Sequence, residues 1–75
     1  MFTPGRKLPE NLTALSARRA LEHRRLYYLT TEEGDVWTMK REGNTYRWAL
    51  QGGRYAHQGD VYAFVRWLDQ VRGQP

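Results

Sequence analysis

The chain has 75 residues, 40% of them hydrophobic, and a net charge of +4 at neutral pH, which fits one domain and is too short for two. The absence of cysteine excludes disulfides, thiolate metal sites and cysteine nucleophiles, and no apolar run approaches the roughly 20 residues of a membrane span. The whole charge excess lies in residues 1–25, where Arg6, Lys7, Arg18, Arg19, Arg24 and Arg25 face only Glu10 and Glu22, while residues 26–75 are balanced.

In chain order, residues 1–8 contain Pro4 and Gly5 and predict an irregular arm ahead of a single domain over residues 9–75. Residues 9–25 predict a first helix through Ala14, Ala17, Ala20 and Leu21, which are good helix formers. Asn11 and Ser16 are its candidate N-caps. With Ser16 as cap, Leu15 and Ala20 take the positions of a hydrophobic staple. At about 100° per residue, Leu12 and Leu15 form one apolar stripe, and Ala14, Ala17 and Leu21 another nearly opposite. One stripe suits the sheet and the other a partner.

Residues 26–31 (LYYLTT), 36–41 (VWTMKR) and 45–50 (TYRWAL) read as strands. A two-residue Gly43-Asn44 turn suits a tight hairpin between the last two. Pairing Glu42 with Thr45 then sets Arg41 opposite Tyr46, Met39 opposite Trp48 and Trp37 opposite Leu50, all on one face. The other face carries Thr38 opposite Ala49 and Lys40 opposite Arg47, and a one-residue slip would mix Trp with Lys. For the first hairpin, a three-residue loop with Gly34 in the left-handed position pairs Thr31 with Asp35. That puts Tyr27 and Leu29 beside Met39 and Trp37; a two-residue Glu33-Gly34 turn would instead put Tyr28 and Thr30 there, and Leu29, the better core residue, favours the first.

Residues 51–59 read as a loop containing Gly52, Gly53 and Gly59. Asp60 caps a second helix, in which Val61, Phe64, Val65, Leu68 and Val71 form an apolar stripe. Gly73 is placed to stop it. Trp67 and Tyr62 flank the stripe and are expected to close the edges of the core; the alternative, for either if exposed, is an interface anchor. The expected fold is α+β: order αβββα, with a three-stranded antiparallel sheet packed on the C-terminal amphipathic helix. Ten aromatic residues supply much of the core, each burying about 150–250 Å². A core this small rarely gives more than about 3–5 kcal/mol, which leaves room for a homodimer or a stabilising partner.

The order αβββα, at this length, resembles that of double-stranded-RNA-binding domains and of small ribonuclease toxins of the same architecture. The chain departs from the RNA-binding pattern where Asp60-Val61-Tyr62-Ala63 stands in place of a Lys-rich helix start. The turn from Glu42 to Asn44 is also shorter than the Gly-rich loop of those domains.

Three groups of residues are candidate sites. Arg18, Arg19, Arg24 and Arg25, with Arg6 and Lys7 as an arm, suit phosphate contacts; the alternative is a solvated helix whose arginines favour its C-terminal end. Lys40, Arg47 and Thr38 with Tyr27 or Tyr28 combine charge with a stacking surface, against the alternative of an ordinary wet sheet face. Arg54, Tyr55 and His57 precede a helix N-terminus, where anions bind; the alternative is a plain surface loop. His23 is flanked by charges. Two histidines without ligand-spaced carboxylates predict no metal site, and no nucleotide-binding motif or other cofactor motif is present.

These features predict a small basic binding module, non-enzymatic and without a cofactor, that contacts nucleic acid or a protein that handles it. One alternative is a protein-binding inhibitor or adaptor, such as a phage or mobile element encodes; another is a minimal ribonuclease using His57. The N-terminus lacks the apolar stretch of a signal peptide, so the expected location is cytoplasmic, with no membrane partner.

Overall fold

The computed structural model describes residues 5–72. Seven elements follow one another: β1 (Arg6–Lys7), α1 (Ala14–Ala20), β2 (Leu26–Thr30), β3 (Val36–Glu42), β4 (Thr45–Leu50), β5 (Ala56–Gly59) and α2 (Val61–Arg72). The strands make one five-stranded sheet in the order β1-β2-β3-β4-β5. β1 runs parallel to β2, and every other pair is antiparallel.

The three central strands have the predicted register. Across β3 and β4, Trp37 opposes Leu50, Met39 opposes Trp48, Lys40 opposes Arg47 and Arg41 opposes Tyr46. Across β2 and β3, Tyr27 opposes Met39 and Leu29 opposes Trp37. The Thr31 N–H donates to the Asp35 carbonyl at 2.8 Å, which closes the expected three-residue loop.

The sheet nevertheless has five strands, not three, and the order is no longer αβββα. Arg6 and Lys7, expected in an irregular arm, pair with Tyr27 and Tyr28, and the Leu8 N–H donates to the Tyr28 carbonyl at 2.8 Å. Leu8 is thereby carried into the core. Residues 56–59, expected as loop, line up along β4 from Ala49 to Tyr46. The resemblance to the RNA-binding and toxin architecture rested on the shorter order and does not extend to these two outer strands. Residues 1–4 of the expected arm and the Gly73 stop lie outside the described residues.

α1 is also shorter than the helix expected over residues 9–25. Neither Asn11 nor Ser16 is its cap. Thr13 is, its hydroxyl accepting from the Ser16 N–H at 3.1 Å while the Ser16 hydroxyl accepts from the Thr13 N–H at 2.8 Å. This reciprocal box satisfies two helix-end donors at once, and it removes the Leu15–Ala20 staple. Asn11, with φ of 59°, turns the chain before the helix. Leu21, already extended, ends it. The alanine stripe wins the sheet: Ala17 and Leu21 are fully buried, whereas Leu15 is 69% exposed.

Both helices cover the same sheet face. Tyr27, Leu29, Met39, Tyr46 and Trp48 meet Ala17 of α1, Leu21 just after it, and Val61, Phe64 and Leu68 of α2 in one cluster. Phe64 stacks on Tyr46 at 5.1 Å between ring centroids. Trp67 sits 5.0 Å from Trp37 and 5.5 Å from Trp48, closing that edge of the core as expected, but Tyr62 on the other flank of α2 is exposed. Gly59 permits the close seat of α2, because a Cβ there would lie 2.8 Å from the Ala63 Cβ. Among the described residues no helix is long and apolar enough to cross a membrane.

Candidate functional site

The β3–β4 hairpin tip gathers cations from three separate stretches of sequence. Lys40, Arg41 and Arg47 belong to the hairpin itself. The last turn of α1 brings Arg18 and Arg19, and Arg18 donates to the Asn44 side-chain oxygen at 2.6 Å. The crossing from α1 to β2 brings Arg24, whose backbone N–H donates to the Arg41 carbonyl at 2.7 Å. His23 makes a parallel bridge to Arg41 in the same crossing. Arg24 adopts a φ of 67°, an uncommon conformation for a residue with a Cβ.

Arg6 and Arg25 join this end by sharing one carboxylate. Both reach Glu22, at 3.4 and 3.5 Å, and Arg47 reaches Glu42 at 3.6 Å. These pairs are solvent-exposed and long, so each holds its partners weakly. Arg41 is bound differently. Its guanidinium donates to the Leu21 carbonyl at 2.9 Å and to the Gly43 carbonyl at 2.8 Å, tying the end of α1 to the turn.

Arg41 did not figure among the candidate residues, although a signal was present. Its parity puts it on the apolar sheet face beside the turn, where a guanidinium must find acceptors. The carbonyls at the C-terminal end of α1 supply one. Opposite it on β4, the Tyr46 hydroxyl is buried with no hydrogen-bond partner among the described residues. Burial raises the pKa of this phenol, and Arg41 and then Arg18 pull it part of the way back.

The open sheet face continues the basic end. Lys7 pairs with Tyr28, Tyr28 opposes Thr38, and Thr38 opposes Ala49. Leu26, Thr38, Lys40, Arg47, Ala49 and Ala56 line a shallow depression of about 130 Å³. Of the two tyrosines considered for this face, Tyr28 is on it. Tyr27 is buried on the opposite face, where its hydroxyl accepts from the Glu22 N–H at 2.9 Å and donates to the Ala20 carbonyl at 3.2 Å.

The third expected group is not gathered at the start of α2. His57 lies in β5 opposite Trp48, with its ring 6.1 Å from that indole and 6.3 Å from Trp37. Arg54 and Tyr55 are exposed in the loop ahead of it. The N-terminus of α2 is served by Asp60, whose carboxylate accepts from the Ala63 N–H at 2.9 Å. A carboxylate in that place repels a second anion. Among the described residues no group of three or more His, Cys, Asp or Glu side chains is arranged to hold a metal ion.

The loop at the far end of β2 and β3 is acidic. Glu32, Glu33 and Asp35 sit in the β2–β3 loop, and Glu10, Glu32 and Glu33 line an open groove of about 790 Å³ with Lys7 and Arg72. No family model, curated protein or solved structure matches the chain.

Proposed function

We propose that this protein is a non-enzymatic binding module that sets its hairpin-tip end on the phosphate backbone of nucleic acid. One observation carries the reading: Arg18, Arg24, Arg25, Lys40, Arg41 and Arg47, scattered over thirty positions of sequence, surround one β-turn. Clustered Lys and Arg displace counterions from phosphates, which gives affinity without base reading. Ten of the twelve basic residues are Arg, the side chain best suited to bidentate phosphate contact. Tyr28 and the shallow depression beside Lys40 offer a surface on which an unpaired base could rest.

A mobility-shift titration on duplex DNA, duplex RNA and single strands at two salt concentrations tests this. Binding should weaken steeply with salt and differ little between sequences. The triple variant Arg24→Glu, Arg25→Glu, Lys40→Glu should weaken binding to all of them alike. It should also flatten the slope of log K against log salt by about 2–3 on duplex DNA, close to one unit per lost phosphate contact. Absence of any complex at low salt overturns the proposal and transfers the basic end to an acidic protein partner.

A further inference from the structure

We infer that β5 is a self-pairing edge, through which two copies of the chain join antiparallel into one continuous sheet. The inference is independent of nucleic-acid binding and begins with the direction of backbone groups. The Gln51 N–H donates to the Val36 carbonyl at 2.8 Å, so the odd-numbered residues of β4 bond to β3. The even-numbered Tyr46 and Trp48 then turn to β5, where their partners are Gly59 and His57. In an antiparallel ladder the intervening residues point the other way. The N–H and C=O groups of Ala56 and Gln58 therefore face outward along the last strand of the sheet.

This edge lacks most of the usual guards. Natural sheets blunt their outer strands by shortness, Lys, Pro or a bulge; β5 is short, at four residues, but Ala56-His57-Gln58-Gly59 has no Lys, Pro or bulge. Every residue over 51–58 is exposed. Outward groups at Ala56 and Gln58 allow only registers that pair even-numbered residues with each other. Centring the two-fold axis on His57 uses the strand most fully, setting Ala56 of each copy against Gln58 of the other.

Charge complementarity selects a second copy as the occupant. Arg54 and Asp60 flank β5, three residues before and three after His57, so antiparallel pairing about His57 brings the Arg54 end of each strand beside the Asp60 end of the other. Shifting the axis to Ala56 or Gln58 draws these ends out of register. The pairing also carries Lys40 and Arg47 of the two copies onto one uninterrupted face. A contact confined to one short strand falls among small interfaces, under roughly 1,200 Å², so it is read from its dependence on concentration.

Sedimentation equilibrium over a wide concentration range tests the inference, with each variant's fold checked by circular dichroism. The wild-type mass should rise from monomer to dimer. Gln58→Pro removes an outward donor at an edge position where proline is tolerated, and should leave a monomer. Arg54→Asp and Asp60→Arg each create like-charged pairs and should weaken self-association by about tenfold or more. Mixed in equal amounts, the two should recover the dimer, since the hybrid restores both opposite-charge contacts. If Asp60→Arg loses its helix cap and unfolds, Gln58→Pro and Arg54→Asp suffice. A wild-type chain that stays monomeric at millimolar concentration, or a dimer indifferent to Gln58→Pro, overturns the inference.

Discussion

At the hairpin-tip end of the sheet, arginines surround a turn and are held by exposed pairs, with Arg41 alone anchored on two carbonyls. At the other end, Trp37, Trp48 and Trp67 lock strand to helix through ring contacts, and the outer loop is acidic. The same alternation of side chains runs through both ends. Both ends rest on buried rings; what differs is the rim, which at the hairpin tip is a set of exposed arginines around the buried Tyr46–Phe64 stack. Affinity and stability are thus assigned to different residues, and substitutions can separate them.

The largest effect belongs to the tryptophan end. Trp48 touches His57, Phe64 and Trp67, so Trp48→Ala should cost about 3–5 kcal/mol. In a domain of this size that loss can unfold the chain, and urea denaturation followed by circular dichroism reads it. A midpoint close to wild type would mean that the aromatic wall is not what holds this end.

A smaller effect contrasts two arginines of the basic end. Arg41→Ala should lose about 1–3 kcal/mol, because two backbone carbonyls lose a charged donor. Arg47→Ala should stay within about 0.5 kcal/mol, the usual value for an exposed pair. Denaturation midpoints of the two variants, measured together, give the comparison. Equal costs would erase the distinction between the anchoring cation and the exposed ones.

The effect expected at Tyr46 is also small, and it depends on pH. Its hydroxyl is buried without a partner among the described residues, so Tyr46→Phe should change stability by less than about 1 kcal/mol at neutral pH, with stabilisation the favoured sign. Burial raises the pKa of the folded phenol above its unfolded value. The unfolded chain then loses its proton first. Stability is complete below the ordinary phenol pKa and is lost as pH rises through the raised one. Wild type should therefore lose stability relative to Tyr46→Phe above about pH 10, as alkaline denaturation series of the two proteins will read. A constant difference across that range would place the hydroxyl in contact with water.

Sequence by itself determined the parts whose causes are local. Gly43-Asn44 and Gly34 set the two hairpin loops, and alternation around them fixed which side chains share a face. The stripe of Val61, Phe64 and Leu68 named the buried side of α2. Arg18, Arg24, Arg25, Lys40 and Arg47 were legible as basic candidates, but as two separate groups. Only the tertiary structure joined them around one turn and added Arg41. The reason is that their proximity depends on where α1 ends, and that end meets the hairpin through the long-range bond from Arg41 to the Leu21 carbonyl. β1 and β5 escaped the sequence for a related reason. Arg-Lys and Ala-His-Gln-Gly carry no strand pattern, and they become strands because a neighbouring edge offers backbone groups whose hydrogen bonds are indifferent to side-chain identity.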